Sequence, residues 1–398
     1  MFANYKSIFA IAGAIRFSLA GFIARMHLSM DRLALLFIVV HETGSYGLAG
    51  LMVATASLVI TIAQPYWARA ADTYGQGKIL YINTALRFIS FTIFIALVQF
   101  NFPIWTWFVA IIVAETNTIN SGSLVRRRWI QILPDPKLKT TAYSFEALVD
   151  EIIFVFGPLL ATALSTYISP VSGLIASMLF VVVGQPALAR LKDTEPTISR
   201  GNGQKSSPKI LKRKSAQAII LPVFFVGGYF GSVGILVVAF TNKADRPELS
   251  GLLLAIWALG SGLAALLNGI VGTHISHAKI FLYSLFFMFL MSLGFLIANS
   301  IPLLAIILFL NGLGISPVLV HAYATMEKEV SEEELTEAMT WVTTGTPTGG
   351  AIGSALAGQV IDNFGVKLGF TIPIATLFLA NLALLPYFRE WVRLRSRS

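Results

Sequence analysis

Apolar runs of about 20 residues, the length that crosses a bilayer core as a helix, recur along this chain. They cover residues 16–40, 46–66, 78–99, 103–125, 140–163, 168–189, 216–240, 249–271, 278–298, 302–325, 336–361 and 367–388. Most are too long, and too rich in Leu, Ile, Phe and Val, for barrel strands of about ten residues. A helix satisfies its own backbone hydrogen bonds where no water is at hand. The twelve runs therefore predict an all-α integral membrane protein with twelve transmembrane helices. Charge density agrees: 12% of the 398 residues are charged, against about 25% in a soluble domain. That density excludes a soluble globule of this size, and the 56% hydrophobic content excludes a disordered chain. The absence of cysteine removes disulfides, Cys-ligated metals and a Cys nucleophile.

The first run carries Arg25, Asp31 and Arg32 and lacks a small-residue cleavage site. It reads as a retained helix behind a short amphipathic lead-in, not as a signal peptide. With both termini on one side, that side holds 23 Lys and Arg, the opposite side holds 3, and Arg25, Arg32 and Arg87 fall inside spans. Basic residues concentrate in cytoplasmic loops. A multi-pass protein of the cell membrane with both termini cytoplasmic is thus expected. The split also accounts for the net charge of +9 with the lipid bilayer, and no nucleic acid, as partner. Residues 190–215 hold Gly, Ser, Pro and eight basic residues and read as a flexible cytoplasmic linker. They divide the chain into an N-terminal six-helix bundle, 1–189, and a C-terminal six-helix bundle, 216–398. Two short matches share an offset of 201: Gly50-Leu51 with Gly251-Leu252, and Lys78-Ile79 with Lys279-Ile280.

Between the second and third spans stands Ala68-Arg69-Ala70-Ala71-Asp72-Thr73-Tyr74-Gly75-Gln76-Gly77-Lys78. With twelve spans, a central basic loop and a repeated half, the chain resembles the major facilitator superfamily of secondary transporters. The family pattern here is Gly-x-x-x-Asp-basic-x-Gly-basic-basic. The chain keeps Asp72 and Gly75, has its basic Lys78 one position past the end of the pattern, and departs at Ala68, Thr73 and Gln76. The related stretch 269–279 keeps Gly269 and Lys279 but has Thr273 in place of the Asp. Gly157-Pro158 in the fifth span is similar to the core of the antiporter motif of the drug-export branch, with Leu160-Ala161 where that motif has Gly-Gly. The resemblance implies two six-helix bundles, a midplane substrate site, alternating access, and a gating role for Asp72. Independently of it, a tight turn needs Gly75 or Gly77 for positive φ.

Ionisable groups inside spans cost a few kcal/mol each at the bilayer centre, so each needs a partner or a use. The N-terminal half holds Arg25, Asp31, Arg32, Arg87, Glu115, Glu146, Asp150 and Glu151 in its spans, three arginines against five carboxylates. The C-terminal spans hold almost none, with His321 the main titratable exception. Arg stays protonated and burial favours a neutral carboxyl, so the surplus acid suggests proton coupling. The resemblance makes the first span cavity-lining, and Asp31 has Arg32 as its evident cationic neighbour. Asp31 is thus the first coupling candidate, Asp150 the second, and Glu115, Glu146 and Glu151 follow.

Gly349, Gly353 and Ala357 form a small-residue stripe that permits close helix approach. Cavity candidates in the C-terminal half are Tyr229, Trp257, Asn268, Asn311, His321, Tyr323 and Trp341. His274-x-x-His277 reads as a polar turn, and no metal site or cofactor is expected. No Walker loop or HExxH motif is present, which argues against an enzyme. The expectation is a monomeric secondary transporter driven by the proton gradient, exporting small lipophilic or cationic molecules. An uptake symporter for a sugar or organic acid is the alternative, and a non-transporting sensor or enzyme comes third.

Overall fold

The computed structural model describes residues 2–133, 135–198, 213–271, 275–330, 332–387 and residue 391. Most of the expected linker, with Thr273 and His274, lies outside the described residues. Every apolar run is built mainly of helix. Helix α1 (Phe2–Phe9) precedes α2 (Ala14–Arg25) and α3 (His27–Thr43), which share the first run. Then come α4 (Tyr46–Tyr74), α5 (Gln76–Gln99), α6 (Ile104–Thr116), α7 (Ser121–Ile132), α8 (Pro136–Tyr167) and α9 (Ser172–Arg190). The remainder holds α10 (Lys214–Lys243), α11 (Ser250–Val271), α12 (His277–Ser292), α13 (Ile301–Gly312), α14 (Ile315–Glu329), α15 (Glu332–Phe364), α16 (Val366–Gly369) and α17 (Thr371–Leu382). Helices α5 and α12 both place their lysine, Lys78 and Lys279, at the third residue, in keeping with the offset of 201 in the sequence.

Among the described residues ten helical segments are long and apolar enough to cross a membrane. Two of the twelve expected runs are not among them, for different reasons. The first is interrupted at Met26, whose N–H turns back to the Ile23 carbonyl at 3.3 Å. Side chains take up the acceptors beside this break: Arg25 Nε donates to the Gly21 carbonyl at 3.0 Å and His27 Nδ1 lies 2.7 Å from the Ala24 carbonyl. The other is α15, 33 residues long, whose Thr and Gly content lowers its hydropathy. The fourth run also differs from expectation. It ends as a helix at Thr116, resumes at Ser121 behind the Asn120 cap, and reaches Ile132 instead of residue 125. The break frees the Asn117 carbonyl, which accepts from Asn83 Nδ2 at 3.0 Å. Non-helical backbone at membrane depth needs such a partner.

Contacts divide the chain into two units: Met1–Glu42 with Val59–Gly203, and Thr43–Leu58 with Gln204–Ser398. The first unit packs α2 and α5 on α9, α5 on α6 and α8 on α9. Its aromatic core sets Phe17 edge-on to Trp129, with ring centroids 4.7 Å apart. The second unit is built on α10 against α15. A Cβ on Gly349 would lie 1.8 Å from the Phe224 carbonyl oxygen, and one on Gly353 2.0 Å from that of Gly228. The small-residue stripe is therefore the seam of this helix pair. The end of α15 also caps the start of α4 within the second unit. Asp362 accepts from the Tyr46 and Gly47 N–H groups at 2.8 Å each and from Ser45 Oγ at 2.6 Å.

Gly349→Leu forces α10 and α15 apart, so its cost is expected to exceed the about 1–3 kcal/mol of ordinary overpacking. Gly345→Ala, with no atom nearer than 3.9 Å to its Cβ, is expected to leave stability unchanged or raise it by up to about 1 kcal/mol through helix propensity. Thermal unfolding of the detergent-purified variants measures both.

Candidate functional site

Helices α3, α5, α6 and α9 bring one group of charges together in the first unit. Arg87 on α5 pairs with Asp31 on α3 and, at 3.5 Å, with Glu115 on α6. It also donates to Thr118 Oγ1, and the Thr118 hydroxyl donates to Glu115 at 2.7 Å. Ser177 on α9 donates to the second Asp31 oxygen. The Arg87 guanidinium lies over the Phe91 ring, 4.5 Å from its centroid. Arg87, Asp31 and Glu115 are all buried. The partner of Asp31 is thus Arg87, and not Arg32, its cationic neighbour in sequence. One residue along a helix is a turn of about 100°, which carries Arg32 to a different face. Arg32 is exposed.

A second group joins α2, α7 and α8. Arg25 reaches Glu146 at 2.5 Å and Asp150 at 2.9 Å. The Arg25 and Glu146 side chains are both 0% exposed. Glu146 also accepts from Trp129 Nε1 at 2.7 Å and from Ser18 Oγ at 3.4 Å. The other Asp150 oxygen pairs with Arg126 at 2.5 Å. Asp150 and Glu146, one helical turn apart, therefore share a guanidinium. Glu151 falls on another face. It is half-buried and has no ion pair or hydrogen bond among the described residues. Gly157 lies where α8 presses on α3, its ideal Cβ 1.8 Å from Ser29 Oγ, and Ser29 donates to the Ile153 carbonyl at 2.9 Å. Pro158 follows inside α8.

The turn after α4 has Gly75 at φ 90°, the conformation that glycine adopts without a Cβ penalty. Glu195 accepts from the Gly77 N–H at 2.7 Å. Asp72 pairs with Arg127 at 3.3 Å, both partly exposed. Lys78 sits over the Tyr74 ring, 5.9 Å from its centroid. Arg128 is buried and bonds Gln76 at 2.9 Å, the Leu191 carbonyl at 2.7 Å and Thr194 at 3.0 Å. The fourth apolar run, read as 103–125, leaves Arg126, Arg127 and Arg128 just beyond its end, among the basic residues counted on the cytoplasmic side. They belong to α7, and all three are committed within the first unit.

The C-terminal candidates do not converge. Tyr229 and Asn311 are fully buried. Tyr229 packs edge-on to Trp257, 5.8 Å between centroids, and Asn311 donates to the Met288 carbonyl at 3.0 Å. The Nδ1 atoms of His321 and His277 are 2.8 Å apart. Asn268 and Tyr323 are half-buried elsewhere in the unit. Open space is found instead in a cleft of about 420 Å³ between α10 and α15, lined by Phe224, Trp341, Thr348, Gln217 and Tyr387. Of these, Trp341 alone was a sequence candidate. The Tyr387 hydroxyl donates to Gln217 Oε1 at 3.0 Å.

The family model described as Major Facilitator Superfamily matches residues 17–245 and again 233–397. The chain belongs to the major facilitator superfamily. It is a membrane transporter and not an enzyme. By sequence it has no significant match among curated proteins. Solved structures of similar fold include the nucleoside transporter NupG, with a TM-score of 0.73 at 12% identity, covering 95% of this chain and 99% of that one. A bacterial homologue of the iron transporter ferroportin, inward-facing, gives 0.67 at 16% identity over 95% and 98%. A POT family transporter in complex with a thioalcohol-conjugated peptide gives 0.72 at 13% identity over 95% and 96%. At these identities the likeness concerns the fold alone. Within this major facilitator chain the charged groups of the first unit are the densest polar chemistry in the described spans.

Removing one partner of a buried ion pair strands the other. Glu146→Gln is expected to cost about 3–5 kcal/mol, with the Arg25→Gln/Glu146→Gln double variant less destabilised than the sum of the singles. Asp72→Asn breaks an exposed pair and is expected to cost about 0–1 kcal/mol while impairing transport. Melting curves beside flux measurements test all of these; unchanged flux in Asp72→Asn returns the turn to a purely structural role.

Proposed function

We propose that this chain is a proton-coupled secondary transporter working by alternating access, and that Glu151 is its coupling acid. The observation that carries the coupling is the balance of charge in the two buried clusters of the first unit. Arg25, Arg87 and Arg126 hold Asp31, Glu115, Glu146 and Asp150, and Arg32 adds the fourth positive charge opposite Asp31 and Glu115. Four cations thus balance four acids, and Glu151 is the surplus. An ionised carboxylate in a span is expensive without a partner. Taking up a proton removes that cost, and releasing it requires different surroundings. A group of this kind ties proton movement to conformation. Asp31 and Asp150, the first choices from sequence, are held by arginines and serve better as structural charges.

The architecture we propose has twelve spans, the α2–α3 pair and α15 completing the ten apolar ones, in two six-helix halves joined by the 190–215 linker. The basic-residue split supports cytoplasmic termini in the cell membrane. Export of small lipophilic molecules is the direction and class we favour. The aromatic cleft of the second unit supports the class, since ligand sites pair apolar walls with a few polar groups. The Gly157-Pro158 resemblance supports the drug-export branch. A cationic substrate fits less well, because the carboxylates that would attract it are engaged by arginines. No cofactor is invoked, and the working unit is a monomer.

Reconstitution in proteoliposomes with an imposed pH gradient, screened with lipophilic dyes, tests the reading. Glu151→Gln is expected to abolish proton-driven accumulation and to keep downhill exchange. Asp31→Asn is expected to lower thermal stability instead. Full proton-driven flux in Glu151→Gln would falsify the coupling assignment, and dye flux indifferent to the gradient removes proton coupling altogether.

A further inference from the structure

Between Ala20 and Val40 every residue is buried or half-buried except Arg32. A helix that faces lipid shows an apolar stripe at spacings of three and four residues. Here Leu35, Leu36 and Val39, which continue the Arg32 face toward the end of α3, are all buried. The exposure at Arg32 is therefore a local opening in surrounding protein and not a lipid-facing side. Leu28 and Ser29, one turn earlier on the same face, are half-buried and form its apolar and polar margin.

A guanidinium presents five N–H donors in a planar fork and stays charged. Arg25, Arg87 and Arg126 each spend this fork on carboxylates. Arg32 has no hydrogen bond or ion pair among the described residues. Asp31 and Glu115 act on it electrostatically, but both Asp31 oxygens and Oε2 of Glu115 are engaged by Arg87, Ser177 and Thr118. These carboxylates make the charge tolerable within the span without occupying its donors. An unpartnered fork at membrane depth, with its charge offset from behind, is suited to a bidentate oxyanion.

We propose that Arg32 anchors an oxyanion, carboxylate or phosphate, on the transported molecule. The substrate is then a small lipophilic molecule with an anionic group, which rests on the transporter reading above and sharpens its substrate class. The apolar Leu28 at the margin suits the hydrocarbon part, and Arg32 suits the charged end.

The test measures equilibrium binding of benzoate, phenyl phosphate and uncharged benzamide to the detergent-purified full chain, without any gradient. The native protein is expected to bind at least one anion about tenfold more tightly than benzamide, the worth of one charge-assisted contact. Whichever anion is preferred assigns the headgroup. Arg32→Gln is expected to bind acid and amide alike while remaining folded, since the Arg87 pairs with Asp31 and Glu115 stay in place. Arg32→Lys, which keeps the charge and loses the fork, is expected to fall between. Equal binding of acid and amide by the native protein, no binding of either anion, or undiminished discrimination in Arg32→Gln overturns the proposal. Because the readout needs no flux, this assignment and the coupling role of Glu151 fail independently.

Discussion

A guanidinium buried in a span cannot shed its charge, so the helices around it must supply oxygen. Arg25 and Arg87 are buried, and much of the first unit follows from that. Arg87 ties α5 to α3 and α6, and Arg25 ties α2 to two residues of α8. Each tie has a second layer: Ser177 and Thr118 fix the carboxylates around Arg87, while Trp129 and Ser18 fix Glu146. Such pairs are weak evidence for stability, because desolvation offsets much of the Coulomb gain. Their effect is directional. An apolar helix in an apolar solvent slides and rotates at little cost, whereas a helix bearing Asp31 opposite Arg87 has one acceptable register.

The second unit solves the same problem by other means. Its seam between α10 and α15 brings backbone against backbone at Gly349 and Gly353, where a methyl group would overlap a carbonyl oxygen. Close approach maximises van der Waals contact, the attraction that remains between helices when lipid tails are as apolar as side chains. A seam of this kind fixes distance strictly and polar chemistry hardly at all. Fixed charge in the first unit and small-residue contact in the second are thus two ways to specify helix packing without a hydrophobic driving force.

The sequence carried the helices plainly, because lipid demands long apolar runs and the runs are long. The repeat was legible too, in lysines that occupy matching third positions of α5 and α12. The excess of acid over arginine was legible as a count, but its resolution was not. Arg126 looked like a loop residue by position, and only the extension of α7 to Ile132 brings it to Asp150. Adjacent residues in sequence suggested Asp31 with Arg32, whereas the helical turn separates them and tertiary packing delivers Arg87 across from α5. Residue type also failed to tell cavity from core. Tyr229 and Asn311 have the chemistry of a binding site and sit fully buried, because amides and phenols serve helix packing equally well. The break at Met26 had no signal of its own, since it follows from Arg25 and His27 turning back on their own helix.

Pairing, then, separates two kinds of charge in the first unit. A side chain locked to a partner specifies the fold and has little freedom to respond to anything else. Of the eight charged residues that the sequence places inside the N-terminal spans, Arg32 and Glu151 are the two without such locks among the described residues, and they lie on helices in direct contact. Gly157 lets α8 approach α3 until Ser29 touches it, and Ser29 donates to the Ile153 carbonyl. Arg32 stands one turn beyond Ser29 on α3, and Glu151 stands two residues before Ile153 on α8. A contact made through a missing side chain and a backbone carbonyl has little compliance. A shift of α8 that changed the surroundings of Glu151 would therefore also move the stretch of α3 that presents Arg32. Fixed pairs elsewhere in the unit make that linkage effective, because a helix held in one register transmits displacement instead of absorbing it.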